Sequence, residues 1–167
     1  DFENTGDNLP EKDVARESSF KAYVTIMRGC NNFCSYCIVP YTRGREQSRP
    51  FDVILNEVRQ LVESGYKEIT LLGQNVNSYN GGGGETFADL LETIDAIDGR
   101  FYVRFMTSHP KDLSDRLIDV MAAARHIAPH VHLPFQSGST RILELMNRKY
   151  TREHYLGLID KIKSRIS

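Results

Sequence analysis

The chain has 167 residues, a formal net charge of −1, and 40% hydrophobic against 26% charged side chains. This is the composition of a soluble globular protein, and the length supplies one ordinary domain with a real core. A membrane-crossing helix is excluded, since no apolar run approaches the roughly 20 residues required, and the basic footprint of a whole nucleic-acid-binding domain is lacking, so any RNA contact must be local or lie outside the chain.

The start, Asp1-Phe2-Glu3-Asn4, has neither the basic nor the apolar region of a secretory signal, which argues for a cytoplasmic protein. The chain also begins without methionine, so we expect an excised piece. Residues 1–19 are polar, carry Gly6 and Pro10, and show no periodicity; they are expected to be a linker from a missing upstream domain, with 20–167 forming the domain proper. From Ala22 to Met27 the chain is β-rich, and this first strand runs into Arg28-Gly29 and a loop holding all three cysteines, Cys30, Cys34 and Cys37. Asp52 is expected to cap a helix with Ile54, Val58, Leu61 and Val62 on one face, stopping at Gly65. Glu68 to Gly73 follows as a second strand. Thr86, with Asp89 three residues on, opens a second helix that buries Phe87, Leu90, Leu91, Ile94 and Ile97. Phe101 to Met106 is a third strand. Asp112 or Ser114 starts a helix through Leu117, Ile118, Met121 and Ala122. Val131 to Phe135 is expected as a fourth strand, ended by Pro134. Ser139 caps a helix to Asn147, and Thr151 starts a last one with the stripe Tyr155, Leu158, Ile159, Ile162 and Ile166. The alternation predicts an α/β fold with about four parallel strands and right-handed crossovers.

The cysteines, spaced Cys-x3-Cys-x2-Cys, share one ion or cluster only if the loop turns back on itself. A disulfide framework wants an even count, and one pair leaves a reactive thiol. Structural zinc wants a fourth ligand, to come from His109, His130 or His132. An iron–sulfur cluster usually takes four thiolates; three leave one iron open to bind and reduce something.

With Tyr36 as its aromatic, the pattern Cys-x3-Cys-x-aromatic-Cys resembles the signature of the radical S-adenosylmethionine (SAM) enzymes. The run Gly29 to Arg49, GCNNFCSYCIVPYTRGREQSR, is similar more narrowly to the methylthiotransferases, most closely to those that modify tRNA. The resemblance implies that Cys30, Cys34 and Cys37 hold a [4Fe–4S] cluster whose fourth iron chelates SAM and cleaves it to a 5′-deoxyadenosyl radical. It implies a partial, truncated (β/α)6 barrel. It also implies an upstream domain with a second [4Fe–4S] cluster and a carboxyl-terminal RNA-binding domain, both missing here. The implied function is methylthiolation at C2 of N6-isopentenyladenosine next to the tRNA anticodon, with tRNA, a reducing electron donor and the missing domains as partners, and with the fragment inactive alone. Rivals in the class modify a ribosomal-protein aspartate or threonylcarbamoyladenosine. The rival of another class is a zinc or iron–sulfur binding module without SAM chemistry.

The same resemblance places Tyr36 by the SAM adenine. It sets Gly73-Gln74-Asn75 where many members carry a Gly-Gly-Glu motif for the methionine amino group, and gives Gln136 and Arg148 the SAM carboxylate and ribose. Ser108 and Ser137 follow strands and are expected to line the site, whereas His109 divides evenly between site and turn. His130 and His132 share a strand face and are expected to pack; Gly81 to Gly84 is expected to be a connection, since no Gly-Lys-Ser/Thr follows it. Arg43, Arg45 and Arg49 follow the cysteine loop as a rim for RNA phosphate or for closing over SAM.

Overall fold

The structure, a computed structural model, describes Arg16 and residues 18–166; most of the expected linker lies outside the described residues. Three strands, β1 (Lys21–Thr25), β4 (Glu68–Leu72) and β5 (Tyr102–Phe105), form an all-parallel sheet in the order β1-β4-β5. Between them, β2 (Met27–Arg28) and β3 (Gln47–Ser48) make a short antiparallel ribbon. The helices are α1 (Val39–Thr42), α2 (Phe51–Glu63), α3 (Phe87–Asp95), α4 (Asp115–Ala123), α5 (Thr140–Leu145) and α6 (Arg152–Arg165).

Alternation along the strands sorts the two faces of the sheet. Ala22, Val24, Ile69, Leu71, Val103 and Phe105 are buried and join one core with Ile54 and Val58 of α2, Leu90 and Ile94 of α3, and Leu117 and Ile118 of α4. Their neighbours Lys21, Tyr23, Thr25, Tyr102 and Arg104 are exposed. On that open face Glu68 sits between Lys21 (3.1 Å) and Arg104 (3.6 Å). Open parallel sheets are normally covered on both faces; helices on one side and, among the described residues, a largely exposed face with Tyr23, Tyr102 and Arg104 on the other fit a segment of barrel wall.

Local chemistry fixes most boundaries. Thr86 and Asp89 make a reciprocal capping box, Ser114 accepts from the Leu117 amide (3.1 Å), and Thr151 accepts from the His154 amide (3.1 Å). At the end of α2, Gly65 (φ 89°) lets the Tyr66 amide reach Leu61 O and its own amide reach Val62 O, a Schellman stop. Two expected caps differ. Pro50 stands at the cap of α2, with Asp52 inside the first turn, and Ser139 caps α5 with no side-chain hydrogen bond.

The expected fourth strand is not formed. Residues 131–135 take no regular secondary structure, and a single parallel bridge, Val103 to Ile127, joins the chain just before them to β5. Pro129 and Pro134 have no amide to give to a ladder, so other groups hold the segment: His132 O accepts from Ser108 N (3.2 Å), and the Tyr150 and Tyr155 hydroxyls donate to Phe135 O (2.7 Å) and Leu133 O (2.9 Å). On α6 only Leu158 of the apolar stripe is fully buried, while Tyr155, Ile159, Ile162 and Ile166 are half-buried.

Candidate cluster and cofactor site

The cysteine loop leaves the carboxyl end of β1 and is closed at its base by the β2–β3 ribbon, a feature too short to show in the sequence pattern. Gly29 starts it in the left-handed region (φ 71°), where a Cβ would lie 2.1 Å from Arg45 O. Just beyond, Cys30 N donates to Gly44 O (3.2 Å), and Asn31 and Glu46 exchange hydrogen bonds from each backbone amide to the other side chain (both 3.3 Å). These contacts turn the loop back on itself.

A second set clamps it from α5. That helix ends on Asn147 in the left-handed region (φ 55°), with Asn147 N reaching Glu144 O and Arg148 N reaching Leu143 O, both at 2.9 Å: a Schellman stop made with asparagine. The Asn147 side-chain amide donates to Asn32 O (3.2 Å) and Phe33 O (2.9 Å), and Met146 O accepts from Ser35 N (3.1 Å). Arg148, 6% exposed, donates from Nη1 to Cys34 Sγ at 3.3 Å. The sequence places Asn147 at the end of this helix but not at the cysteine loop; the signal for its turn is an asparagine directly after an apolar helical run.

Cys30 and Cys34 are buried and Cys37 is half-buried; all three are free thiols. Burial pushes the Cys30 thiol up, with Glu46 and Cys34 adding to it against the Asn32 amide. A ligand that takes its thiolate must displace that proton. Among the described residues no three His, Cys, Asp or Glu side chains stand close enough to hold a single metal ion. A cluster asks for less, because it spreads its thiolates over separate irons. Of the three histidines that could supply a fourth ligand, two are engaged elsewhere, His132 Nδ1 accepting from Thr107 N (3.1 Å) and His109 Nδ1 from Lys111 N (3.2 Å), and His130, expected to pack, is exposed.

Facing the loop, the carboxyl ends of β4 and β5 carry buried polar groups. Asn75, 1% exposed, donates to Asp112 Oδ2 (2.7 Å). Asn77 and the His109 backbone form a reciprocal pair at 2.9 and 3.0 Å, which ties the two strand exits together. Burial, with the Arg148 cation next, lowers the His109 pKa to about 3, so the ring is neutral and, since Nδ1 accepts, carries its proton on Nε2. Five buried atoms here have no partner: Gln74 Oε1, Asn75 Oδ1, Ser108 Oγ, His109 Nε2 and Arg148 Nε. Buried polar atoms are nearly always satisfied, so these orphans are groups that a polar ligand could satisfy. They offer two amide oxygens, a hydroxyl, an imidazole N–H and a guanidinium N–H. An amino acid carrying an ammonium and a carboxylate needs that mixture.

Tyr36 is exposed beside Cys37; partial burial of its hydroxyl raises its pKa, and the Arg148 cation opposes that rise. Gln136 (φ 64°) is exposed and Ser137 half-buried at the turn before α5. Gly73 is small for another reason than ligand approach: a Cβ there would lie 2.5 Å from the Met27 side chain. The expected arginine rim divides. Arg43 and Arg45 are exposed, with Arg45 over the Phe33 ring (5.3 Å), but Arg49 is a strut whose Nη1 donates to Thr25 O and Glu57 Oε2, both at 2.7 Å. The glycine run closes on its own acid, Gly83 N donating to Glu85 Oε2 (3.0 Å).

The family model described as the radical SAM superfamily matches residues 24–167. Curated relatives named tRNA-2-methylthio-N(6)-dimethylallyladenosine synthase include one from Desulforamulus reducens, 60% identical over 92% of this chain and 34% of its own length. One from Thermoanaerobacter is 57% identical over 99% of this chain and 36% of its own. The chain thus spans about a third of the length of these relatives. Among solved structures, the radical SAM methyltransferase TsrM from Kitasatospora setae, with cobalamin and a [4Fe–4S] cluster bound, superposes with a TM-score of 0.68 at 19% identity over 86% of this chain and 29% of that one. The cobalamin-dependent radical SAM enzyme OxsB gives 0.66 at 13% identity over 84% of this chain and 22% of that one. These two likenesses show the fold.

Proposed function

The chain belongs to the radical SAM superfamily, and from that premise we propose that it is the cluster- and SAM-binding core of a tRNA methylthiotransferase. Cys30, Cys34 and Cys37 hold the [4Fe–4S] cluster. Gln74, Asn75, Ser108 and Arg148 receive the polar end of SAM, Tyr36, Gln136 and Ser137 border it, and Gly73 shapes the strand exit. The observation that carries this reading is the set of five unpartnered buried polar atoms, four after β4 and β5 and one on Arg148 after α5, the arginine that touches a cysteine sulfur.

When bound, the cluster supplies the electron that cleaves SAM to a radical able to attack an unactivated aromatic C–H bond. The chain's own residues bind and orient. The tight loop keeps two of the thiols from water, Asn147 fixes the loop carbonyls, and the buried amides and hydroxyl gain from the ligand the hydrogen bonds they lack. The target, in the reading favoured by the named relatives, is C2 of N6-isopentenyladenosine beside the anticodon. Arg43 and Arg45 stand exposed after the loop to meet RNA phosphate. Residues 20–167 then form the core of a longer enzyme, to which a second [4Fe–4S] cluster and an upstream domain also belong, and tRNA and a low-potential donor are its partners.

The test is anaerobic reconstitution with iron and sulfide, followed by electron paramagnetic resonance of the reduced protein with and without SAM. A [4Fe–4S] signal that shifts with SAM, and that is lost in Cys30→Ala, Cys34→Ala and Cys37→Ala, is the expected result. Tightly held zinc, or a well-formed cluster indifferent to SAM, overturns it.

A further inference from the structure

We propose that Arg148 tunes the reduction potential of the cluster by donating a charge-assisted hydrogen bond to the sulfur of Cys34; the inference rests on the three cysteines being cluster ligands. Guanidinium groups keep their charge in proteins and are rarely buried unless paired. Arg148 is 6% exposed, yet its hydrogen bond runs to Cys34 Sγ at 3.3 Å, its plane lies over the Tyr150 ring at 5.5 Å, and none of the ion pairs among the described residues includes it. A neutral thiol is a weak acceptor and leaves this cation unbalanced. A thiolate bound to iron is an anion and balances it. Cys34 is itself 8% exposed, so water screens the pair little.

The step concerned is the transfer of one electron to the cluster from an external low-potential one-electron donor. No bond forms or breaks and no proton moves; the cluster gains one negative charge and the donor loses it. A fixed cation hydrogen-bonded to a ligand sulfur stabilises the reduced, more negative state over the oxidised one and so raises the potential, since net charge and hydrogen bonds to sulfur set cluster potentials. The device is built into the α5 terminator. The left-handed turns at Asn147 (φ 55°) and Lys149 (φ 57°) flank Arg148 and fix where its side chain starts.

The experiment is a redox titration, followed by electron paramagnetic resonance without SAM, of the reconstituted protein and of Arg148→Lys, Arg148→Gln and Arg148→Met. The midpoint should fall in that order. Arg148→Met should lose about tenfold in the equilibrium for reduction, equivalent to about 59 mV for a one-electron couple, and Arg148→Lys should lie nearest the parent. Midpoints of Arg148→Gln and Arg148→Met that coincide with the parent overturn the inference, as do lower cluster yields in all three variants with no ordered shift. If Arg148→Met does not load, the Lys and Gln variants decide it, because only one keeps the charge. Failure of the cluster reading itself is distinguishable: it appears in the parent protein, as the absence of a [4Fe–4S] signal that responds to SAM.

Discussion

Left-handed backbone at non-glycine positions is concentrated at one end of the molecule. Phe33 (φ 48°), Thr107 (69°), Gln136 (64°), Asn147 (55°) and Lys149 (57°) all lie in the cysteine loop or in the segments that face it. Thr107 is the least comfortable, since its branched Cβ crowds the carbonyl in that region. It is held from both sides, its amide donating to His132 Nδ1 (3.1 Å) and its carbonyl accepting from Val76 N (3.1 Å). Strain persists only where its surroundings over-determine it, and it collects at working sites. Gly29 is the strictest case. Replacing it with alanine adds a left-handed cost of about 1–2 kcal/mol to a backbone clash at Arg45 O that no rotamer relieves. Gly29→Ala should therefore lower the urea midpoint and abolish cluster loading, whereas Gly138→Ala, with open space around its Cβ position, should do neither. Equal loading of the two variants, read as iron per chain, contradicts this.

At the scale of elements, α5 is a six-residue helix with one fully buried side chain, Leu143, so it contributes little core. Its value lies in how it stops. The turn that ends it delivers Met146 O, the Asn147 amide and the Arg148 guanidinium to the cysteine loop within three residues. Asn147→Gly separates these roles, because glycine accepts the left-handed φ but has no amide to give. The fold should lose only about 1 kcal/mol per hydrogen bond, while a cluster loaded in this variant should decay several-fold faster in air, followed by its visible absorbance; unchanged decay would show that the clamp does not hold the loop. Much of this was legible in the sequence, for definite reasons. The capping residues Thr86, Ser114 and Thr151 and the stop at Gly65 act through contacts a few residues away, which local patterns record. The expected fourth strand failed although Pro134 was read as its end: Pro134 inside the segment and Pro129 just before it have no amide for a ladder, and pairing with β5 stops at the Val103–Ile127 bridge. Arg49 was misplaced on the rim because its partner Glu57 is one helix away, a neighbour that only the packed α2 supplies. The strand-end residues expected to line a site could be placed together from the sequence, because parallel β/α units gather their exits at one end. The Asn147 clamp could not be, since it joins positions more than a hundred residues apart.

The molecule as a whole is divided along the strand axis, with a well-packed apolar layer under the helices and a polar, incompletely satisfied layer at the strand exits. His109 lies in the second layer, 4% exposed, among Arg148, Lys111, Lys149 and Asp112. Three of those four neighbours are cations, and burial acts with them to hold the ring neutral. An ordinary histidine titrates at 6.5 and this one at about 3, so between those values the unfolded chain binds more protons than the folded one. Stability is therefore complete above pH 6.5 and is lost as the pH falls through the window toward 3. At about 1.4 kcal/mol for each pH unit inside the window, the loss is about 2 kcal/mol between pH 6.5 and 5. Asp89, lowered from 3.8 to about 2 first by its hydrogen bonds with Thr86, adds acid sensitivity only below its ordinary range, so the two effects do not overlap above pH 5. His109→Asn keeps an acceptor for the Lys111 amide without the titration. Urea unfolding at pH 7 and pH 5 should then show a drop in the parent and a markedly smaller one in the variant. Identical drops would mean that the acid sensitivity arises elsewhere, and that the strand-exit layer tolerates a charged histidine which its burial and three neighbouring cations argue against.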